Sequence, residues 1–230
     1  MATIVHIETS TNVCSVALSE NGHCLFHKED REGPSHARVL APFVEEMVSM
    51  ADSHAMPLDA VAVSSGPGSY TGLRIGVSTA KGLCYGRGLK LLSVNTLQLL
   101  CVPVLLYHED IPADSLLCPM LDARRMEVYA AIYSRSLKEV RPVQADIVTA
   151  ETYLPWLNDH PVIFFGNGAA KCQEVINHPN AIFLPDIEPL AQHMVPLAEK
   201  AFLTGQVEDT AYFEPFYLKE FVAGVQKKLF

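Results

Sequence analysis

The chain has 230 residues, 49% of them apolar and 19% charged, with a formal net charge of −9. That length holds one domain or two small ones, and the apolar share suffices for a real core. The acidity excludes an unaided grip on nucleic acid, which needs a basic surface, and no apolar run is long enough to span a membrane.

The six cysteines (Cys14, Cys24, Cys84, Cys101, Cys118, Cys172) form no C-x-x-C pair. Several lie in apolar runs, as buried thiols do. No basic-then-apolar leader opens the sequence. A reducing cytoplasm is the expected compartment.

Taken in order, Thr3–Ile7 reads as a buried strand, Glu8–Asn12 as a polar turn and Val13–Leu18 as a second strand. Asn21-Gly22 is a strong hairpin signal, so Cys24–Lys28 is expected to be a third strand. Pro34-Ser-His36 opens a helix in which Leu40, Phe43, Val44, Met47 and Ala51 recur at helical spacing. Pro42 should kink that helix or shift its start. Asp59–Ser64 is nearly all apolar, as central parallel strands are. A glycine turn, Gly66-Pro-Gly-Ser-Tyr-Thr-Gly72, then leads into a helix over Leu73–Tyr85. A strand at Leu91–Val94 and a helix at Thr96–Leu106 follow.

Near residue 110 the pattern restarts. Leu116–Leu121 is a strand, Asp122–Met126 a polar turn and Glu127–Tyr133 an alternating strand. The hairpins Ile4–Leu18 and Leu117–Tyr133 look like one device used twice. Val162–Phe165 is another strand, running into Gly166-Asn-Gly168 and an expected helix over Ala169–Ile176. Pro189–Leu203 is expected to be helical. Two hairpin-led halves, each with a carboxylate in its first turn, suggest the duplicated actin-like architecture, an α/β fold.

Several positions could carry chemistry. Glu8, Thr9 and Ser10 could meet a phosphate–magnesium group through hydroxyls, N–H groups and a carboxylate; an ordinary capped turn uses the same residues. Asp122 and Arg124 pose the same question in the second hairpin. The Gly66–Gly72 turn lacks the lysine and Ser/Thr of a P-loop. It is either an anion cradle at a helix N-terminus or a close-packed contact. Gly72, Gly76 and Ala80 share one helix face, with Gly82 and Gly86 nearby. Helical glycines cost roughly 0.5–1 kcal/mol each, so close packing within the fold or between chains must offset them. His23 and His27 sit four apart on an expected strand, about 13 Å from each other, too far to share a metal.

Four blocks together resemble the bacterial TsaB (YeaZ) family. They are Ile7-Glu-Thr-Ser-Thr11, Cys14-Ser-Val-Ala-Leu18, Ser65-Gly-Pro-Gly-Ser-Tyr-Thr-Gly-Leu-Arg-Ile-Gly76 and Leu121-Asp-Ala-Arg-Arg-Met-Glu-Val-Tyr129. The likeness runs the whole length and thins after residue 135. Pro215-Phe-Tyr-Leu-Lys219 is similar to the family's C-terminal P-x-Y-L-R segment, with Lys for Arg.

The resemblance implies an actin-like (ASKHA, ribonuclease H-like) fold of two βββαβαβα halves, here 1–107 and 108–230. It implies a non-catalytic role in making N6-threonylcarbamoyladenosine in tRNA, alongside the transferase TsaD and the ATPase TsaE. The same surface would make a homodimer when TsaD is absent, and tRNA would be met only through the complex. The interface it implies comprises Gly72, Leu73, Ile75, Gly76, Thr79, Ala80 and Leu83. Nucleotide contacts, ATP or ADP with magnesium, would fall on Glu8, Thr9, Ser10, Asp122 and Arg124; an Asp is common in the family where Glu8 stands. Thr96 and Leu100 stand where the paralogue carries metal-binding histidines, and neither can hold iron or zinc. The competing expectation is a metal- or ATP-dependent enzyme, in keeping with the older glycoprotease label.

Overall fold

The structure, a computed structural model, describes residues 2–33 and 35–219. The first lobe contains strands β1 (Thr3–Glu8), β2 (Cys14–Glu20), β3 (His23–Asp30), β4 (Ala60–Gly66) and β5 (Lys90–Asn95). Its helices are α1 (His36–Ser53), α2 (Tyr70–Arg87) and α3 (Thr96–Tyr107). That order is βββαβαβα, and the sheet runs β3-β2-β1-β4-β5. β1 pairs antiparallel with β2 and parallel with β4.

The second lobe repeats the plan. Its strands are β6 (Leu116–Asp122), β7 (Glu127–Ser134), β8 (Glu139–Ile147), β9 (Val162–Phe165) and β10 (Ala181–Leu184), ordered β10-β9-β6-β7-β8. Read from the hairpin edge, the two sheets have the same strand order and the same parallel central pair, β1–β4 and β6–β9. This is the duplicated actin-like fold, an α/β architecture.

The helices of the second lobe are reduced. The helix after β8, α4 (Leu154–Leu157), is a single turn, and the helix expected over Ala169–Ile176 is only a 3-10 turn at Ala170–Cys172. The expected helix at Pro189–Leu203 divides into a 3-10 turn, Ala191–Met194, and α5 (Val195–Leu203). Strands β8 and β10 were not expected. The first has Pro142 inside it, and the second is four half-buried residues at a sheet edge. Proline demotes a strand in sequence reading, yet is tolerated at the edge position that β8 occupies.

Asn21 and Gly22 both take positive φ (54° and 79°), which a two-residue hairpin requires. Helix α1 runs through Pro42 and buries Leu40, Val44, Met47 and Ala51. Pro34, expected to open it, lies outside the described residues.

Helix α3 is apolar on all sides, as a helix buried on both faces must be. Leu97, Leu100, Cys101 and Val104 pack with Leu117, Leu121, Ile163 and Phe165 of the second lobe. Leu99 packs with Ile4, Ala62 and Leu92 of the first. It is the apolar spine between the two sheets.

The assignment of everything from residue 108 onward to the second lobe is corrected by the chain's end. Met194, Ala198 and Ala201 fill a core with Ile4, Ala60 and Leu92. The Ala191 N–H donates to Ser15 Oγ (2.9 Å), and the Glu208 N–H to the Leu91 carbonyl (2.8 Å). From about Ala191 the chain has returned to the first lobe, because α3 alone leaves the apolar face of β1, β4 and β5 incompletely covered.

Candidate functional site: the cleft between the lobes

The first turn and the glycine turn lock together. Thr9 Oγ1 donates to the Gly72 carbonyl (2.8 Å), and the Ser69 N–H donates to the Ser10 carbonyl (2.7 Å). The approach is so close that only glycine fits. A Cβ at Gly72 would sit 2.1 Å from the Thr9 carbonyl oxygen, and one at Gly68 2.5 Å from that of Ser10. Ser69 then caps α2 by accepting the Gly72 N–H (3.2 Å).

The second lobe presents a matching device. The Asp122 N–H donates to Asn167 Oδ1 (2.9 Å), and a Cβ at Gly168 would press on Leu121 at 2.8 Å. Arg124 and Arg125 both hold positive φ (72° and 51°), a costly conformation for side chains of this size. The Arg124 N–H donates to Asp122 Oδ1 (2.9 Å). The Asp122 carboxylate also pairs with Lys171, whose ammonium donates to the Glu127 carbonyl (2.7 Å).

Between the two turns lies a cleft of about 580 Å³. Ser10, Thr11, Asn12 and Gly68–Thr71 line one wall, and Leu121–Arg124, Tyr129 and Asn167 the other. Residues 216–219 cross it. Of the expected ligand contacts, Ser10, Asp122 and Arg124 reach this cleft. Glu8 and Thr9 do not, which corrects their assignment. Thr9 is spent on Gly72, and Glu8 is fully buried behind the turn, with Oε1 accepting the Ser10 N–H (2.5 Å). Burial lifts the Glu8 carboxyl to about 7, against weaker lowering by its contacts with Ser10 and Ser64.

The cleft suits an anion. Ser10 lines one wall, 2% exposed, with its side chain turned toward the buried Glu8 carboxyl. The N-terminal turn of α2 brings its N–H groups and partial positive charge to the same wall. Arg124 is exposed on the opposite wall. The residues fit a divalent cation less well. Asp122 is the one carboxylate among the described lining residues, and it is held by Lys171. The described residues contain no cluster of three metal-ligating side chains. Thr96 and Leu100 are both fully buried, Leu100 in the core against the second sheet. His23 and His27 lie exposed along β3.

Of the seven expected interface residues on α2, four are turned inward and three are half-buried. Gly72, Leu73, Gly76 and Ala80 are buried inside the chain. Gly76 faces Thr9, where a Cβ would lie 2.2 Å from Oγ1. Ile75 and Leu83 are half-buried on the first core, and the Thr79 hydroxyl returns to the Ile75 carbonyl (2.9 Å). The outward positions are instead Arg74, Ser78, Gly82, Tyr85 and Gly86. Gly82 and Gly86, singled out by sequence only as neighbours, have open space where a Cβ would stand.

Comparison with known proteins agrees with the fold and the motifs. A family model described as TsaD, tRNA N6-adenosine threonylcarbamoyltransferase, matches residues 32–227. The tRNA threonylcarbamoyladenosine biosynthesis protein TsaB of Escherichia coli is 29% identical over 96% of both chains. That of Bacillus subtilis is 29% identical over 94% of both. The solved structure of YeaZ from Pseudomonas aeruginosa is 25% identical, covers 95% of this chain and 100% of its own, and superposes with a TM-score of 0.78. No helix among the described residues is long and apolar enough to cross a membrane. With its glycine turn locked onto its first hairpin and that arrangement repeated in the second lobe, the chain belongs to the TsaB (YeaZ) family, within the wider group that the TsaD model describes.

Proposed function

We propose that this chain is a non-catalytic subunit of the machinery that makes N6-threonylcarbamoyladenosine in tRNA. It binds and activates a TsaD-type transferase through the outward face of α2 and its neighbour α1. The names of its relatives support the pathway. The observation that carries the docking surface is the pair Gly82 and Gly86.

Each helical glycine costs roughly 0.5–1 kcal/mol against alanine. Gly72 and Gly76 are explained inside the chain by Thr9. At Gly82 and Gly86 an added Cβ would meet no other side chain or segment within 4 Å. With Ser78 they form an exposed small-residue row beside Tyr85, which is 89% exposed. Such a row lets another helix approach closely. Arg87 pairs with both oxygens of Asp52 (2.8 and 2.7 Å), so the end of α2 lies beside α1 and the two helices share one face. The same face serves a homodimer when TsaD is absent. With a net charge of −9, the chain meets tRNA through the complex, in which TsaE is the ATPase partner.

The cleft supports a second element of the proposal: the phosphates of ATP or ADP lie between Ser10, the α2 N-terminus and Arg124. Any magnesium would be held chiefly by the nucleotide, since Glu8 is sealed off and Asp122 is paired. Calorimetry with ATP and magnesium tests this part. An enzyme acting alone would have to turn over ATP without partners, and sustained turnover by the purified chain would replace the scaffold reading. The docking surface is tested by Gly82→Leu in co-expression with the TsaD partner: the expected result is a folded chain that no longer co-purifies.

A further inference from the structure

The described chain ends in a strap that begins on the first lobe and finishes on the second. Its first-lobe end is firmly held. The Glu208 N–H donates to the Leu91 carbonyl (2.8 Å), and Ser93 Oγ donates to the Glu208 carboxylate (2.5 Å). The Lys81 ammonium donates to the carbonyls of Ala211 and Phe213 (both 3.1 Å), and the Phe213 ring packs on the first core. The Phe216 N–H donates to the Ser65 carbonyl (2.7 Å), and the Tyr217 ring meets that of Tyr70 at 4.9 Å. The fit at Gly66 is tight: a Cβ there would lie 2.7 Å from the Phe216 carbonyl oxygen.

The second-lobe end is different in kind. Lys219 reaches across and pairs with Glu127, at the start of β7. The Lys219 side chain is 48% exposed and that of Glu127 20%. Between the two ends, residues 216–219 form part of the cleft wall. Among the described residues, the two lobes are thus joined by apolar side chains packed around α3 and, across the cleft, by a strap whose Lys219 pairs with Glu127.

We propose that the segment Phe213–Lys219 is a clasp: fastened to the first lobe, it sets the opening of the inter-lobe cleft by engaging Glu127 of the second. The asymmetry of its two ends is the argument. Backbone hydrogen bonds and the half-buried Phe213 ring fix the strap on the first lobe, so the strap moves with that lobe. A half-exposed ion pair is readily broken and is screened by salt, so the second-lobe end is the one that releases. Any occupant of the cleft lies against residues 216–219 and is covered while Lys219 holds Glu127. This inference concerns the lobes of the single chain and stands independently of docking on α2.

Distance measurement by pulsed electron paramagnetic resonance tests it. One spin label goes on Cys24, exposed on β3, while the other five native cysteines are buried. The second goes on Ile147→Cys, at an edge-strand position 72% exposed. The clasp predicts a narrow distance distribution for the otherwise native chain at low salt. Lys219→Glu should shift it to longer distance and broaden it, and molar salt should do the same without mutation. Combining Lys219→Glu with Glu127→Lys should restore the narrow distribution. A chain ending at Pro215 should match Lys219→Glu, with its fold checked by circular dichroism. A Lys219→Glu distribution equal to the native one would overturn the clasp, as would a charge swap that fails to restore it.

Discussion

Thr9 Oγ1 lies where the Cβ of any larger residue at position 76 would have to go, 2.2 Å from it. Two segments 67 positions apart are therefore fixed together by the absence of one methyl group. The same hydroxyl donates to the Gly72 carbonyl (2.8 Å), so it cannot swing away without leaving a buried group unpaired. Gly76→Ala is expected to destabilise the chain by about 1–3 kcal/mol, the usual range for overpacking. Removing the obstructing oxygen should relieve most of that. In a denaturant-melt cycle, Gly76→Ala should cost clearly less in the Thr9→Ala background than in the native one. Equal costs in both backgrounds would separate the two residues energetically.

Glu8 makes a pH prediction. Its carboxyl is raised by burial from 4.5 to about 7 in the folded chain. Between those values the folded state holds a proton that the unfolded state has released. The contribution of Glu8 to stability is therefore fully present below about 4.5 and is lost as pH rises through about 7. Glu8→Gln keeps an acceptor for the Ser10 N–H and never ionises. Its stability relative to the native chain should rise across that window and level off above it, by no more than about 3 kcal/mol. The buried His6, which burial lowers to about 3, is common to both proteins and cancels. Chemical melts at pH 5 and pH 8 measure the difference, and a pH-independent gap would show that folding leaves the Glu8 carboxyl at its ordinary value.

The second lobe holds a buried ion pair. Arg141 pairs with Asp146, which also accepts from the Tyr153 hydroxyl (2.7 Å), and the Arg141 guanidinium lies near the rings of Tyr153 and Trp156 (5.6 and 5.5 Å). Removing one partner strands the other's charge in the core. Asp146→Ala is expected to cost about 3–5 kcal/mol. Arg141→Met with Asp146→Leu should cost markedly less, because burying an ion pair carries its own desolvation penalty. Thermal unfolding of the three variants checks the order.

Much of the first lobe was legible in the sequence. Its central strands β1 and β4 are fully or almost fully buried, its turns carry Asn21-Gly22 and Gly66–Gly72, and α1 repeats its apolar residues at helical spacing. The second lobe was harder because its devices are smaller. Pro142 disguised β8, and one turn of 3-10 helix does the work of a helix after Gly168. The return of α5 to the first lobe has no local signature, since its buried residues Val195, Ala198 and Ala201 would suit either sheet.

The candidate site was half legible. The composition of the two first turns led to Ser10, Asp122 and Arg124 in the cleft. It also led to Glu8 and Thr9, because consecutive polar residues of a turn read alike while Ser10 lines the cleft and Glu8 and Thr9 face the interior. The glycine row divided for a related reason. Periodicity put Gly72, Gly76 and Ala80 on one face, but only Thr9, far away in sequence, shows that this face points inward. Gly82 and Gly86 lie on the other side, where sequence gave no reason to separate them from the rest.

The central claim is that those two outward glycines admit a partner helix. Gly82→Leu has room on its own chain, since no atom lies within 4 Å of the added Cβ. It also replaces a poor helix former with a good one, a gain of roughly 0.5–1 kcal/mol, so the variant should melt at or above the native temperature. The decisive measurement is co-expression of this variant with the TsaD partner, followed by size exclusion on the purified pair. The account predicts a well-folded Gly82→Leu chain that elutes free of TsaD. Co-elution at the native yield would contradict it.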